Sequence, residues 1–246
     1  MKHIIETGTD VATICFFDPE ALPPDFDEHA KQDPYEAVAK LSKEGRIWSQ
    51  ETGADGGYLF HFYVEEEVPE RIRKHSHEPQ VVPRLLAPSG RIWACGIEYA
   101  ARDPEKGQAE SPGSLTEFPH MGGKCEVPPG DYSVTVWRAE WPDGLVENEL
   151  KKRGASGHNA LGVTTGVLFL TTLIGTLFTL VKTLKKSVLG ELGRNYLWTW
   201  CVLILAWIAC VLLMRKLSKL EKDPNRKEVE SEFPSIVVQM KRIPAN

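Results

Sequence analysis

The sequence predicts a membrane protein: a cytosolic β-rich domain, all-β or α+β with an antiparallel sheet, followed by a C-proximal two-helix transmembrane hairpin. Three observations predict it. Two long runs, 161–181 and 196–214, carry no charged residue. Short alternating or aromatic runs ahead of them are separated by Pro, Gly and Asp. Charge is also split: Met1 to Leu150 holds 14 Lys+Arg against 28 Asp+Glu, a net of −14, and Lys151 to Asn246 holds 15 against 6, a net of +9, which sum to the −5 of the whole chain.

The chain accordingly divides into an acidic β-rich domain over 1–150, a basic linker over 151–160, a first transmembrane helix over 161–181 and a loop over 182–195. A second transmembrane helix over 196–214 follows, then a juxtamembrane helix and returning strand within 215–246. In the acidic domain, Val11–Phe17 is β-branched and aromatic and stops at Asp18-Pro19. Tyr58–Val64 follows Gly56-Gly57, and Arg91–Tyr99 alternates with Trp93, Cys95, Ile97 and Tyr99 on one face. Tyr132–Trp137 follows Pro128-Pro129-Gly130-Asp131, a sequence suited to a type II turn. Such runs joined by tight turns imply a small antiparallel sheet or sandwich.

One helix is well signalled by Asp33 as N-cap, Pro34 in the first helical position, Glu36 completing a capping box and Gly45 past the end. A second short helix is expected from Pro69 to about Lys74, and residues 103–123, rich in Gly, Pro, Ser and charge, read as a long loop.

The first uncharged run would reach roughly 31 Å at 1.5 Å per residue, enough for a hydrocarbon core. Tyr196, Trp198 and Trp200 open the second run as headgroup-level aromatics would. Gly162 and Gly166 form a close-packing pair, and Gly175 continues the small face between Thr171 and Thr179. That face would pack on the second helix, or on another copy as a homo-oligomer, with a polar pore lining as the remaining use. Seven cationic residues flank the hairpin outside and four lie in its loop, which places both termini in the cytoplasm of an inner- or plasma-membrane multi-pass protein. The opening MKHIIETGTDVATICFF has no apolar h-region and agrees with that sidedness.

Beyond the hairpin, Asp223-Pro224-Asn225 breaks the helix, and Phe233–Pro244 alternates with period two. A lone terminal strand would be an aggregation hazard, so this segment is expected to return and pair with the sheet.

Chemical signatures are sparse. His75-Ser76-His77, with His120, Cys95 or Cys125, has the donor types of a zinc site, although solvated histidines are the commoner outcome in a charged turn. Glu65-Glu66-Glu67 would hold a cation or act as a general acid, against the plainer role of a solvated edge. Cys125 with His120 has the residue types of a nucleophile pair. Five cysteines without CxxC spacing exclude a disulfide framework, and no phosphate loop, dinucleotide fingerprint or serine elbow is present, so no cofactor is implied.

The acidic half repels phosphate backbones and excludes nucleic acid as its partner. Its expected partners are the lipid bilayer and a basic or membrane-inserting protein. The function that follows is a non-enzymatic, membrane-anchored immunity or inhibitor protein that neutralises a toxin. The alternatives are a membrane-disrupting defence or stress effector whose hairpin oligomerises, and a membrane-tethered hydrolase.

Overall fold

The computed structural model describes residues 1–103, 108–112, 118–154, 204–205, 207–209, 211–212, 215 and 224–244. Two compact units emerge, Met1–Asp143 with Ser231–Asn246, and Gly144–Glu230.

The first unit is a sandwich of two sheets. Its strands are β1 (Lys2–Thr9), β2 (Thr13–Phe17), β3 (Ile47–Glu51), β4 (Gly56–Val64), β5 (Gln80–Ala87), β6 (Arg91–Gly96), β7 (Arg102–Asp103), β8 (Gln108–Pro112), β9 (Gly122–Glu126), β10 (Gly130–Arg138) and β11 (Ile236–Arg242). Five strands form one sheet in the order β1-β4-β11-β10-β5, four form the other in the order β3-β2-β6-β9, and β7 pairs with β8 alone. The strands alternate because two faces must be satisfied. Phe60, Phe62, Val64, Tyr132, Val134, Val136, Ile236, Val238 and Met240 point inward from the larger sheet onto Ile14, Phe16, Trp48, Ile92 and Ala94 of the smaller one. Phe16 stacks on Trp48 with centroids 4.8 Å apart and meets Phe62 edge-on at 5.4 Å.

The outer face of the smaller sheet is covered by α1 (Phe26–Gln32) and α2 (Pro34–Lys43). Phe26, Ala30, Val38 and Leu41 pack there on Cys15, Phe17, Ile47, Trp93 and Cys95. Asp33 caps α2 by accepting the Glu36 N–H at 3.0 Å, and Pro34 occupies the first turn, where no donor is missed. The strand expected over Arg91–Tyr99 stops at Gly96, and Ile97–Tyr99 tightens into a 3-10 turn. On the outer face of the larger sheet, α3 (Glu70–Arg73) brings Ile72 onto Tyr63 and Val237.

Asp18 ties these layers together. Its buried carboxylate accepts from Glu20 N, Ser89 N, Ser89 Oγ and Gly90 N at 2.7 to 2.9 Å. Gly90 has φ +73°, and a Cβ there would meet the Val127 carbonyl oxygen at 2.1 Å, so only glycine fits this corner.

In the second unit the described helices Leu145–Lys152 and Pro224–Glu230 lie close to each other, and each carries an ion pair along its own surface, Lys152–Glu149 in the first and Arg226–Glu230 in the second. The expectation of a transmembrane hairpin is corrected: among the described residues no helix is long and apolar enough to cross a membrane. The multi-pass inner-membrane placement with cytoplasmic termini, and the lipid-facing role given to the hairpin, fall with it. Residues 161–181 and the loop 182–195 lie outside the described residues, as do Gly162, Gly166, Gly175, Tyr196, Trp198 and Trp200. The physical reason for the error is that a run without charge records only tolerance of apolar surroundings. A span further requires an unbroken helix of about 20 such residues. The described fold is β-rich, with one mixed five-stranded sheet, one antiparallel four-stranded sheet and the antiparallel β7–β8 pair.

Strand β11 sits between β4, to which it is parallel, and β10, to which it is antiparallel. Val238 is completely buried there. Val238→Asp therefore places an unpaired carboxylate between the sheets and should cost about 3–5 kcal/mol of unfolding free energy by urea titration. A loss below about 1 kcal/mol would show that β11 contributes little to the core.

Candidate functional site

A surface concavity with an apolar floor lies between α1 and α2 in the first unit. The chain leaves the Asp18 corner, passes Pro23-Pro24 and turns back at Asp33, so the two short helices form a hairpin with a groove of about 240 Å³. Buried Phe26 and Leu41 make its apolar floor, and Asp25, Asp33 and Glu36 stand on its rim with His29 and Lys40. His29 Nδ1 lies 3.8 Å from Asp25 Oδ2. Tyr35 is 53% exposed, and its hydroxyl donates to the Val11 carbonyl at 2.9 Å.

Tyr35 thus joins α2 to the β1–β2 turn, which adds a second acidic pair. Glu98 accepts from Asp10 N at 2.6 Å and from Thr9 Oγ1 at 3.2 Å, while Tyr99 donates its hydroxyl to Asp10 at 2.6 Å. Burial raises the Glu98 carboxyl, with hydrogen bonds opposing it and the Asp10 charge adding to it. Burial, helped by the Asp10 hydrogen bond, pushes the Tyr99 phenol up to about 12. The result is a carboxylate-rich, tyrosine-bearing face over a small apolar floor, suited to a cationic side chain with an apolar stem.

The residues singled out in the sequence lie elsewhere and are not gathered into one site. His75–His77 adds a short bridge to the end of β10, through Ser76 and Ala139. His77 Nε2 is 2.7 Å from Glu140 Oε2, and the His75 ring centroid is 5.1 Å from that of Trp141. Among the described residues no group of three or more His, Cys, Asp or Glu side chains is placed to hold a metal ion.

Glu65, Glu66 and Glu67 are each engaged by the protein. Glu65 accepts the Arg242 N–H, Glu66 pairs with the Met1 amine at 2.8 Å, and Glu67 pairs with Lys241 at 2.8 Å. The Lys241 and Gln239 hydrogen bonds hold the Glu67 carboxyl below its usual range. Cys125 is buried in the inter-sheet core, where burial pushes its thiol up to about 12, so it stays protonated and is a poor nucleophile. His120 is exposed in the preceding loop.

A group that sequence reasoning missed is His61. It lies on the outer face of β4, fully buried, with Nε2 2.7 Å from the Ser231 carbonyl oxygen and Nδ1 3.5 Å from the Tyr63 hydroxyl. Its only sequence signal is a histidine amid aromatics in YLFHFYV.

No family model and no curated protein matches the chain. Two solved structures are similar to it. One is "Crocagin biosynthetic gene J", at 16% identity over 56% of this chain and 79% of that chain, with a TM-score of 0.39. The other is ComJ, inhibitor of the DNA degrading activity of NucA, from Bacillus subtilis, at 13% identity over 56% of this chain and 81% of that chain, with a TM-score of 0.30. With TM-scores below 0.5, neither likeness bears on what this chain does.

The buried imidazole makes stability pH-dependent. Burial, with the nearby Lys2 charge, lowers the His61 pKa from 6.5 to about 4, so the folded state keeps the ring neutral. The unfolded chain takes up a proton below about pH 6.5 and the folded chain does not. Stability is therefore complete above 6.5 and is lost as pH falls toward 4. Between pH 7 and 5 the loss should be on the order of 1–2 kcal/mol after allowance for solvent screening. Urea midpoints across that range should fall, and His61→Gln should flatten the slope. An unchanged slope in the variant would assign the effect to other groups.

Proposed function

We propose that this chain is a non-enzymatic binding protein of the immunity or inhibitor type, whose α1–α2 face receives a basic protein partner. The observation that carries this reading is the groove itself, an apolar floor of Phe26 and Leu41 rimmed by Asp25, Asp33 and Glu36. The charge of the whole unit supports it. Residues 1–143 and 231–246 contain 16 Lys+Arg against 27 Asp+Glu, a net of −11.

The distribution of that charge matters more than its sum. Glu20, Glu44, Glu66, Glu67, Glu70, Asp131 and Glu232 each meet a cation within the fold. At the groove, the ion pair involves a histidine at 3.8 Å, which is charged only when protonated. A carboxylate rim of this kind attracts a basic surface through diffusion and speeds the encounter, an effect that salt screens. The bound partner would then have its own cationic surface covered, which suits the neutralisation of a basic toxin that needs those charges. Neither membrane-based alternative is carried forward, because both depend on the corrected hairpin.

The test is isothermal titration with a defined Arg/Lys-rich peptide as probe. Binding should weaken steeply as salt rises, and Asp25→Asn with Glu36→Gln should weaken it by about tenfold at low salt. Neutralising Glu126 and Asp143 should leave it within about twofold. Equal losses from both pairs of substitutions would mean that net charge, not the groove, attracts the peptide, and the reading would fail.

A further inference from the structure

Two thiols lie beneath the α1–α2 layer and take no part in the groove. Cys15 of β2 and Cys95 of β6 stand opposite each other in antiparallel register, flanked by the pairs Ile14–Gly96 and Phe16–Ala94. Both side chains are completely buried on the helix-covered face of the smaller sheet. Their sulfurs are 3.9 Å apart, although the residues are 80 positions apart in sequence. Cys125, the third described cysteine, packs on the other face of that sheet, in the core between the sheets.

The backbone already meets the requirements of a disulfide. Directly opposed residues of an antiparallel pair have Cα atoms about 4.5 or 5.5 Å apart, and a disulfide spans about 4.4–6.8 Å. The two sulfurs need to approach by a further ~2 Å, which side-chain rotation and a small adjustment of adjacent strands supply. Access is what opposes reaction. Burial pushes the Cys15 thiol well up, with the Cys95 sulfur and the Glu98 charge acting the same way, so the closed fold keeps it protonated and unreactive. The cover is thin, however: α1 buries Phe26 and Ala30, and α2 buries Val38 and Leu41. A layer held by few apolar contacts opens locally at less cost than global unfolding.

We propose that Cys15 and Cys95 form a reversible intrachain disulfide, made by a hydroperoxide when the α1–α2 layer opens and undone by a thiol. One sulfur, as the thiolate, attacks a peroxide oxygen. The O–O bond breaks, the departing oxygen takes up a proton and leaves as water or an alcohol, and a sulfenic acid remains. The second sulfur then displaces the sulfenic oxygen as water and the S–S bond forms. With hydrogen peroxide, two S–H bonds and one O–O bond give one S–S bond and two molecules of water, the sulfurs being oxidised and the peroxide oxygens reduced. The bond joins the two inner strands of the smaller sheet and staples the base on which α1 and α2 stand. It does not depend on what the groove binds.

The test treats the reduced full chain with hydrogen peroxide under native conditions, blocks remaining thiols with N-ethylmaleimide at intervals, and maps the peptides by mass spectrometry without reduction. A Cys15–Cys95 linked pair is expected, and dithiothreitol should reverse it. The linked chain should show a higher urea midpoint than the reduced chain, because the bond closes a long loop. That rise should be absent in Cys15→Ala and in Cys95→Ala treated in the same way. Ala30→Gly, which loosens α1 through helix propensity and leaves the sheet intact, should speed linking by about fivefold. Four results overturn the proposal: either sulfur linked instead to another cysteine, both carried to sulfinic acid without a link, linking only at the rate of global unfolding, or a rate that Ala30→Gly leaves unchanged.

Discussion

The sandwich depends on a strand supplied from the far end of the sequence. Between β4 and β10 there is a gap of one strand, and β11 fills it, parallel to one neighbour and antiparallel to the other. Without it the larger sheet would be two separate pairs, β1-β4 and β10-β5, each with an exposed edge. Its inward residues Ile236, Val238 and Met240 are also the middle of the core facing Phe16 and Ile92. The Glu65–Glu67 turn secures the end of this strand: Glu65 accepts the Arg242 N–H, Glu66 O and Glu67 accept from Gln239, and Glu67 pairs with Lys241. A run of carboxylates that looks reactive in sequence is used to hold the last strand. Closing so long a loop is entropically costly and slow, so local pairs such as β2–β3 are expected to form before the larger sheet is complete.

What could be read from the sequence was whatever one local rule controls. The period-two pattern of Ile236, Val238 and Met240 corresponds to β11, and the Asp33-Pro34 signature corresponds to the start of α2. The segments that escaped are those where local rules conflict. β1, KHIIETGT, mixes charges into a strand because its outer face meets solvent. β5 holds a proline permitted only by its edge position, and β9, GGKCE, has almost no apolar content of its own. The helix α1, FDEHAKQ, is short and mostly polar, and only packing on Trp93 and Cys95 makes it a layer. The acidity of this half was evident, but its address was not. Asp25 and Glu36 share a rim only after two helices fold back on each other. The uncharged runs near the C-terminus misled for the opposite reason, since a single strong local signal stood unopposed.

Two buried polar groups show different solutions to the same problem. Asp18 has no exposed surface and is met by four donors from its own turn and the β5–β6 corner, so its lone pairs are satisfied and the corner is fixed. His61 is solved by neutrality instead. Burial keeps its ring unprotonated, and its Nε2 donates to the Ser231 carbonyl, where the chain re-enters this unit. The first arrangement fixes a corner near the helical layer, and the second fixes the approach to β11. Both place polar specificity at points where distant segments must meet in one register.

These constraints also set where the α1–α2 groove lies. The α1–α2 groove lies over the outer face of the four-stranded sheet, and β1 borders the five-stranded one. The groove therefore stands on a layer held from below by Phe17, Trp93 and Cys95 and at its entry by the Asp18 corner, so the spacing of Asp25, Asp33 and Glu36 follows from the sandwich beneath it.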